Sequence, residues 1–136
     1  MTEFLTSDID GNICQFQYSI EIKETDNEVV FKVHSIPQNE MRWFSYRLKI
    51  INNTLAKSEH FSNFENSEFA KKGIPEKIIQ IASLELNRDI QSSPITFSAG
   101  NYLIPSSRKA WERLVLQSKS ASLDIENDCF FYRRIL

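Results

Sequence analysis

The stretch from Glu68 to Leu86 constrains the fold most, because it joins a loop signal to a helix start and to a regular apolar stripe. Gly73 allows a tight turn, and Pro75 suits the first turn of a helix, where its missing N–H is not needed. Apolar residues then recur at every fourth position: Ile74, Ile78, Ala82, Leu86 and Ile90. This spacing predicts an amphipathic helix that starts near Pro75 and packs one face on the core.

The turn before this helix is also basic, since Lys71 and Lys72 precede Gly73. Such a turn can bind phosphate, because free backbone N–H groups and the positive end of the helix dipole converge at a helix N-terminus. An ordinary junction between a loop and a helix, with solvated lysines, has the same sequence features. A single glycine does not distinguish the two interpretations.

Three segments before this helix alternate apolar and polar residues with a period of two, the pattern of strands with one buried face. They run from Cys14 to Ile22, from Val29 to His34 and from Phe44 to Ile50, with polar turns between them. We therefore expect an antiparallel meander. Residues 52–66 fit either a fourth strand or a long Asn-rich loop.

The third strand has an outer stripe of Trp43, Arg47 and Lys49. A stripe of this kind can recognise a ligand or partner, or it can consist of solvated side-chain stems that lie over a ring. The sequence leaves both interpretations open.

After the first helix, the pattern predicts a strand around Ile95 and Phe97, and then a helix capped by Ser106 or Ser107. Trp111 lies on the apolar stripe of that second helix, so we expect it to fill the interior beside the strand. A hairpin over residues 123–135 completes the chain. The expected fold is α+β, with a mixed, mostly antiparallel sheet and two main helices.

Composition indicates one compact domain over residues 1–136, with 41% hydrophobic and 25% charged residues. The formal net charge of −2 argues against nucleic acid or an anionic membrane as a partner. The start of the sequence has no secretory signal pattern, so we expect a cytoplasmic protein. Cys14 and Cys129 are expected to be two reduced thiols, and no spacing predicts a metal site.

The second half of the chain resembles the GNAT superfamily of acyl-CoA N-acyltransferases. Lys-Lys-Gly-Ile-Pro-Glu-Lys-Ile-Ile from Lys71 is similar to the loop and helix that hold the coenzyme A pyrophosphate in that family. The following strand, second helix and last strand of the family are matched by three further segments: Ser93 to Ser98, Ser107 to Val115 and Asp128 to Arg134.

The resemblance implies acetyl-CoA as cofactor and a small-molecule or protein amine as substrate. It places the phosphates at the turn, with these candidate binding residues: Lys71, Lys72, Gly73, Ile74 and Glu76. A fourth strand that enters this turn would present the general base in the family pattern. Glu59 and His60 are the nearest titratable candidates for that catalytic role, although both also fit ordinary surface positions.

The sequence departs from the family where the chemistry would lie. Ala70 replaces a Gln or Arg, Pro75 replaces a small residue with an N–H donor, and Trp111 replaces a tyrosine that can act as an acid. The two helices that normally precede this half have no room before Ile13. The interpretation as an N-acyltransferase therefore competes with two others. One is a non-catalytic GNAT-like binding or interaction module, which could dimerise through a sheet edge, and the other is an unrelated α+β domain.

Overall fold

The computed structural model describes residues 2–23, 27–36, 42–62, 69–96 and 103–135. These ranges contain eight strands and two helices. In chain order they are β1 (Thr2–Ser7), β2 (Ile13–Lys23), β3 (Glu28–Ser35), β4 (Phe44–Ile50), β5 (Leu55–Ser62), α1 (Ile74–Leu86), β6 (Asp89–Gln91), α2 (Pro105–Gln117), β7 (Ala121–Asp124) and β8 (Cys129–Tyr132). The fold is α+β, as the sequence pattern predicts.

The eight strands form one mixed sheet in the order β1-β2-β3-β4-β5-β6-β8-β7. Neighbouring strands pair antiparallel, except that β5 and β6 are parallel. α1 connects these two parallel strands, so β5, α1 and β6 form a β-α-β unit. Of the region that the sequence left undecided between loop and strand, Leu55–Ser62 form β5, and residues 63–66 lie outside the described residues.

One face of the sheet forms the core together with both helices. Its inward side chains alternate along the strands as the period-two pattern predicts, and Phe31, Phe44 and Tyr46 are fully buried. The opposite face carries charged cross-strand pairs, including Arg47 with Glu28 at 3.0 Å and Lys32 with Glu21 at 3.1 Å. Such pairs are typical of an antiparallel sheet with one solvated face.

The predicted apolar stripe of α1 is confirmed, because Ile78 and Ala82 have no exposed surface. Trp111 is likewise fully buried, and its ring stacks on Phe130 of β8 with a centroid distance of 6.0 Å. Its predicted interior position is confirmed, but its stacking partner is Phe130 rather than the expected strand near Ile95.

Two predicted boundaries after α1 are wrong. α1 ends at Leu86, since Asn87 adopts a left-handed conformation and its N–H caps the last turn, so Ile90 lies on β6 instead of the helix. The strand expected at Ile95 is β6, several residues earlier, and Phe97 lies outside the described residues. A short strand directly after a helix leaves no periodic signal, which explains the misplacement.

The predicted cap of α2 is also wrong. The helix begins at Pro105 with Ile104 as N-cap, and no side chain caps it. Pro105 supplies the preset backbone angle of a first helical residue, and this places Ser106 and Ser107 inside the first turn.

Candidate functional site

The two parallel strands of the β5-α1-β6 unit stop pairing before β5 ends, and we refer to the part of β5 that is not paired with β6, Ser58 to Ser62, together with Ser93, as the crevice. β5 and β6 pair only between Leu55–Lys57 and Asp89–Gln91, whereas β5 continues to Ser62. Beyond the paired region, the contact across the gap is a long hydrogen bond of 3.4 Å, which the Ser93 hydroxyl donates to the Ser58 carbonyl oxygen. Ligands of α/β units bind outside the carboxyl ends of parallel strands, so this edge is the candidate site.

Glu59 and His60 lie on the part of β5 that extends beyond β6. Ser58 pairs with Leu48 and His60 pairs with Arg47, so Glu59 is the extra residue of a β-bulge. Both Glu59 and His60 are exposed. Bulges commonly re-aim side chains beside functional sites. His60 lies opposite Arg47 on the solvated face of the sheet, away from the helices.

The basic turn has the backbone conformation that the sequence suggested. Gly73 is the N-cap of α1 and has a left-handed φ of 73°, which favours glycine. Lys71 is also left-handed, with a φ of 57°. A side chain at Gly73 would meet the Ser7 carbonyl oxygen at 3.5 Å. The turn therefore packs against the end of β1, a contact that the sequence did not indicate.

Two of the three residues that offer free backbone donors at this turn are buried. The N–H groups of Gly73, Ile74 and Glu76 make no hydrogen bond to any other described residue, and Pro75 has no N–H. Ile74 and Glu76 are buried, whereas Lys71 is exposed and Lys72 is half-buried. A phosphate at this turn therefore meets the lysines before it meets the backbone donors.

Acidic groups flank the turn. The Asn12 backbone N–H holds the pKa of Asp8 below its usual value, and the charge of Lys72 lowers this pKa further. Asp8 and Gly73 are both part of a cleft of about 340 Å³ between the β1–β2 turn and the two helices. Part of the positive charge of Lys72 is therefore already balanced by the protein itself.

Glu76 is the most unusual residue of the turn, because a carboxylate is only 2% exposed there. Its Oε1 accepts a hydrogen bond from Nε of Arg113 on α2 at 2.5 Å, and its Oε2 has no hydrogen-bond partner among the described residues. The carboxylate also benefits from the positive end of the α1 dipole. Glu76 thus fastens the start of α1 to α2. Sequence reasoning missed this ion pair because its members are 37 residues apart.

Of the five predicted phosphate-binding residues, Lys71, Lys72 and Gly73 form the turn before α1, and Ile74 and Glu76 lie in the first turn of the helix itself. The two predicted catalytic residues lie on β5, and no described contact joins them to the turn. Two residues of the stripe Trp43, Arg47 and Lys49 already contact other side chains of the protein. Arg47 pairs with Glu28, and the Lys32 ammonium lies 5.2 Å from the centre of the Trp43 ring.

Within the described ranges, no group of three His, Cys, Asp or Glu residues could hold a metal ion. Cys14 and Cys129 are free thiols, and burial raises the pKa of the Cys129 thiol. Among the described helices, neither is long and apolar enough to cross a membrane. No family model matches the sequence, and no curated protein matches it.

Proposed function

We propose that this chain is a GNAT-like acyl-CoA-dependent N-acyltransferase that transfers an acetyl or acyl group to an amine. The observation that carries the proposal is the parallel β5-α1-β6 unit, in which β5 runs past the end of β6 and leaves Ser58 to Ser62 without a β6 partner. The order of strands and helices agrees with the second half of the family pattern.

The residues of the crevice fit the extended part of such a ligand better than its phosphates. From Ser58 to Ser62, β5 is not paired with β6, so its backbone can hydrogen-bond an extended chain that contains amides. At the turn, Pro75 lacks a donor and Glu76 adds a buried negative charge, which leaves Lys71 and Lys72 as the main phosphate partners. We therefore expect weak phosphate binding.

The bulge residue Glu59 is the better candidate for the general base. Its carboxylate is exposed on the part of β5 that extends beyond β6, and we expect it to accept the proton of an attacking amine directly or through water. The acyl-CoA supplies a thioester that an amine can attack directly, and positioning of the two reactants provides much of the rate. The proposal implies a cytoplasmic protein, which agrees with two free thiols.

A second candidate function is a non-catalytic GNAT-like module that binds a ligand or a partner protein. The ion pair of Glu76 with Arg113 favours it, since a carboxylate of the protein already lies at the helix start where a phosphate would bind. The two candidates differ in whether acyl-CoA binds and whether turnover follows.

Calorimetric titration with acetyl-CoA and with free CoA separates these candidates, followed by an acyl-transfer assay with a panel of amines. The proposal predicts micromolar binding of acetyl-CoA and measurable turnover, with turnover reduced roughly 100-fold or more in Glu59→Gln. Glu126→Gln, which changes an exposed glutamate in the β7–β8 turn, is the matched control and should keep full activity. Binding without turnover would favour the module, and no heat at millimolar ligand would contradict the acyl-CoA proposal.

A further inference from the structure

β7 is the edge strand at one end of the sheet, and large apolar side chains are exposed around it. Leu116 is 88% exposed at the end of α2, Ile125 is 81% exposed just after β7, and Leu123 on β7 is 48% exposed. These three residues line one groove of about 480 Å³, whose floor includes the buried ring of Phe130. We refer to Leu116, Leu123 and Ile125 as the β7 cluster.

The backbone of β7 adds unpaired hydrogen-bonding groups to this surface. β7 is the last strand of the sheet, so only β8 pairs with it. The Ser120 carbonyl oxygen accepts a hydrogen bond from the Arg133 N–H at 2.8 Å. In the alternating antiparallel pattern, the carbonyl of Ala121 and both backbone groups of Leu123 then point away from β8. An open strand edge with apolar neighbours is a template for another strand.

The shape around this edge also suits an added strand. The groove with the β7 cluster lies on the helix side, and a second, shallower hollow of about 400 Å³ lies along the other side of the strand. The rims of the two hollows carry charges of both signs, including Arg108, Glu112, Asp124 and Arg133. A surface with mixed charges can match itself across a two-fold axis, where each positive rim meets a negative one.

We propose that the β7 edge is the interface of a homodimer, in which β7 of one copy pairs antiparallel with β7 of a second copy. Pairing about Ser122 joins the Leu123 N–H of each copy to the Ala121 carbonyl oxygen of the other. The two sheets become one continuous sheet, and the β7 clusters of both copies cover each other beside the two α2 helices. This proposal is independent of the acyl-CoA proposal, because β7 is separated from β6 by β8 and the interface uses none of the crevice residues.

Size-exclusion chromatography with light scattering, over micromolar to submillimolar protein, tests the interface. The expected mass at high concentration is twice that of the 15.9 kDa chain. Ile125→Glu and Leu116→Glu should each raise the dissociation constant of the dimer about tenfold or more, since each places a charge in the apolar contact. Leu84→Glu is the matched control, because Leu84 is 72% exposed on α1, outside the cluster, and this variant should remain dimeric.

Amide hydrogen exchange provides a readout of the strand pairing itself. The Leu123 N–H should exchange more slowly at high protein concentration in the parent chain and in Leu84→Glu, but not in Ile125→Glu. Circular dichroism checks that each variant is folded. A parent chain with the mass of one copy at submillimolar concentration would overturn the proposal. So would a dimer that dissociates equally in all three variants, or one that persists in a combined Ile125→Glu and Leu116→Glu chain.

Discussion

Glu59 of β5 and Glu76 of α1 are both carboxylates, and their surroundings are opposite. Glu59 is exposed at a β-bulge, on a strand that has run past its parallel neighbour. Glu76 is buried in the first turn of α1 and is held by Arg113 from α2. One carboxylate is accessible to a ligand, whereas the other contributes to the packing of the two helices.

The comparison shows that the same type of side chain has a different role when it is exposed than when it is buried. An exposed carboxylate at the end of a strand costs little stability and can exchange protons with a substrate. A buried carboxylate must keep its cationic partner, because an unpaired buried charge is strongly destabilising. The proposed function places its chemistry on β5, whereas the contacts of Glu76 give the start of α1 a mainly structural role. The following predictions test this division.

The largest effect should come from the core side of α1. Ile78→Ala should lower the free energy of unfolding by about 2–5 kcal/mol, because Ile78 has no exposed surface and its truncation leaves a cavity. Chemical denaturation measures this change, and Leu84→Ala on the exposed side of α1 is the control. An unchanged unfolding midpoint in Ile78→Ala would show that the start of α1 is not anchored as described.

The next effect concerns the ion pair at the start of α1. Arg113→Met should cost about 1–3 kcal/mol, since it leaves the buried Glu76 carboxylate without its cation. Glu76→Gln should cost less, because the neutral amide needs no counter-charge and Arg113 is half exposed. Denaturation of both single variants and of the double variant gives the coupling. Equal costs for the two single variants, with no coupling, would contradict the structural role of the pair.

A smaller effect should appear in ligand binding at the turn. Lys72→Ala should weaken acetyl-CoA binding only a few-fold, and the loss should shrink as salt is added, because the lysine acts through a partly screened charge. Titrations at low and high ionic strength measure this effect, with Lys109→Ala on α2 as the exposed control. A loss of several hundred-fold in Lys72→Ala would mean that the turn, rather than the crevice, dominates binding.

Local patterns predicted most of the fold because most elements bury one face. The alternation from Cys14 to Ile22 and the stripe through Ile78 have their periods set by that burial, so each could be identified from sequence. The short strand β6 could not be placed in this way, since three residues carry no period. The start of α2 was misplaced because Pro105 is the first helical residue, so the two serines lie inside the helix instead of capping it.

The site was less accessible to sequence reasoning. The turn at Gly73 was identified because glycine and proline act locally on backbone angles. The pairing of Glu76 with Arg113 depends on the packing of two helices, and the bulge at Glu59 depends on how β5 pairs with β4. Neither property can be inferred from one segment of the sequence alone.

The most direct test of the central claim is to map where acetyl-CoA binds, by amide chemical-shift changes during a titration of the labelled protein. We expect the largest changes along β5 from Ser58 to Ser62 and at Ser93, with smaller changes at Lys71 and Lys72. A titration that shifts only the lysines of the turn, or no amide at all at millimolar acetyl-CoA, would contradict the assignment of the crevice between β5 and β6.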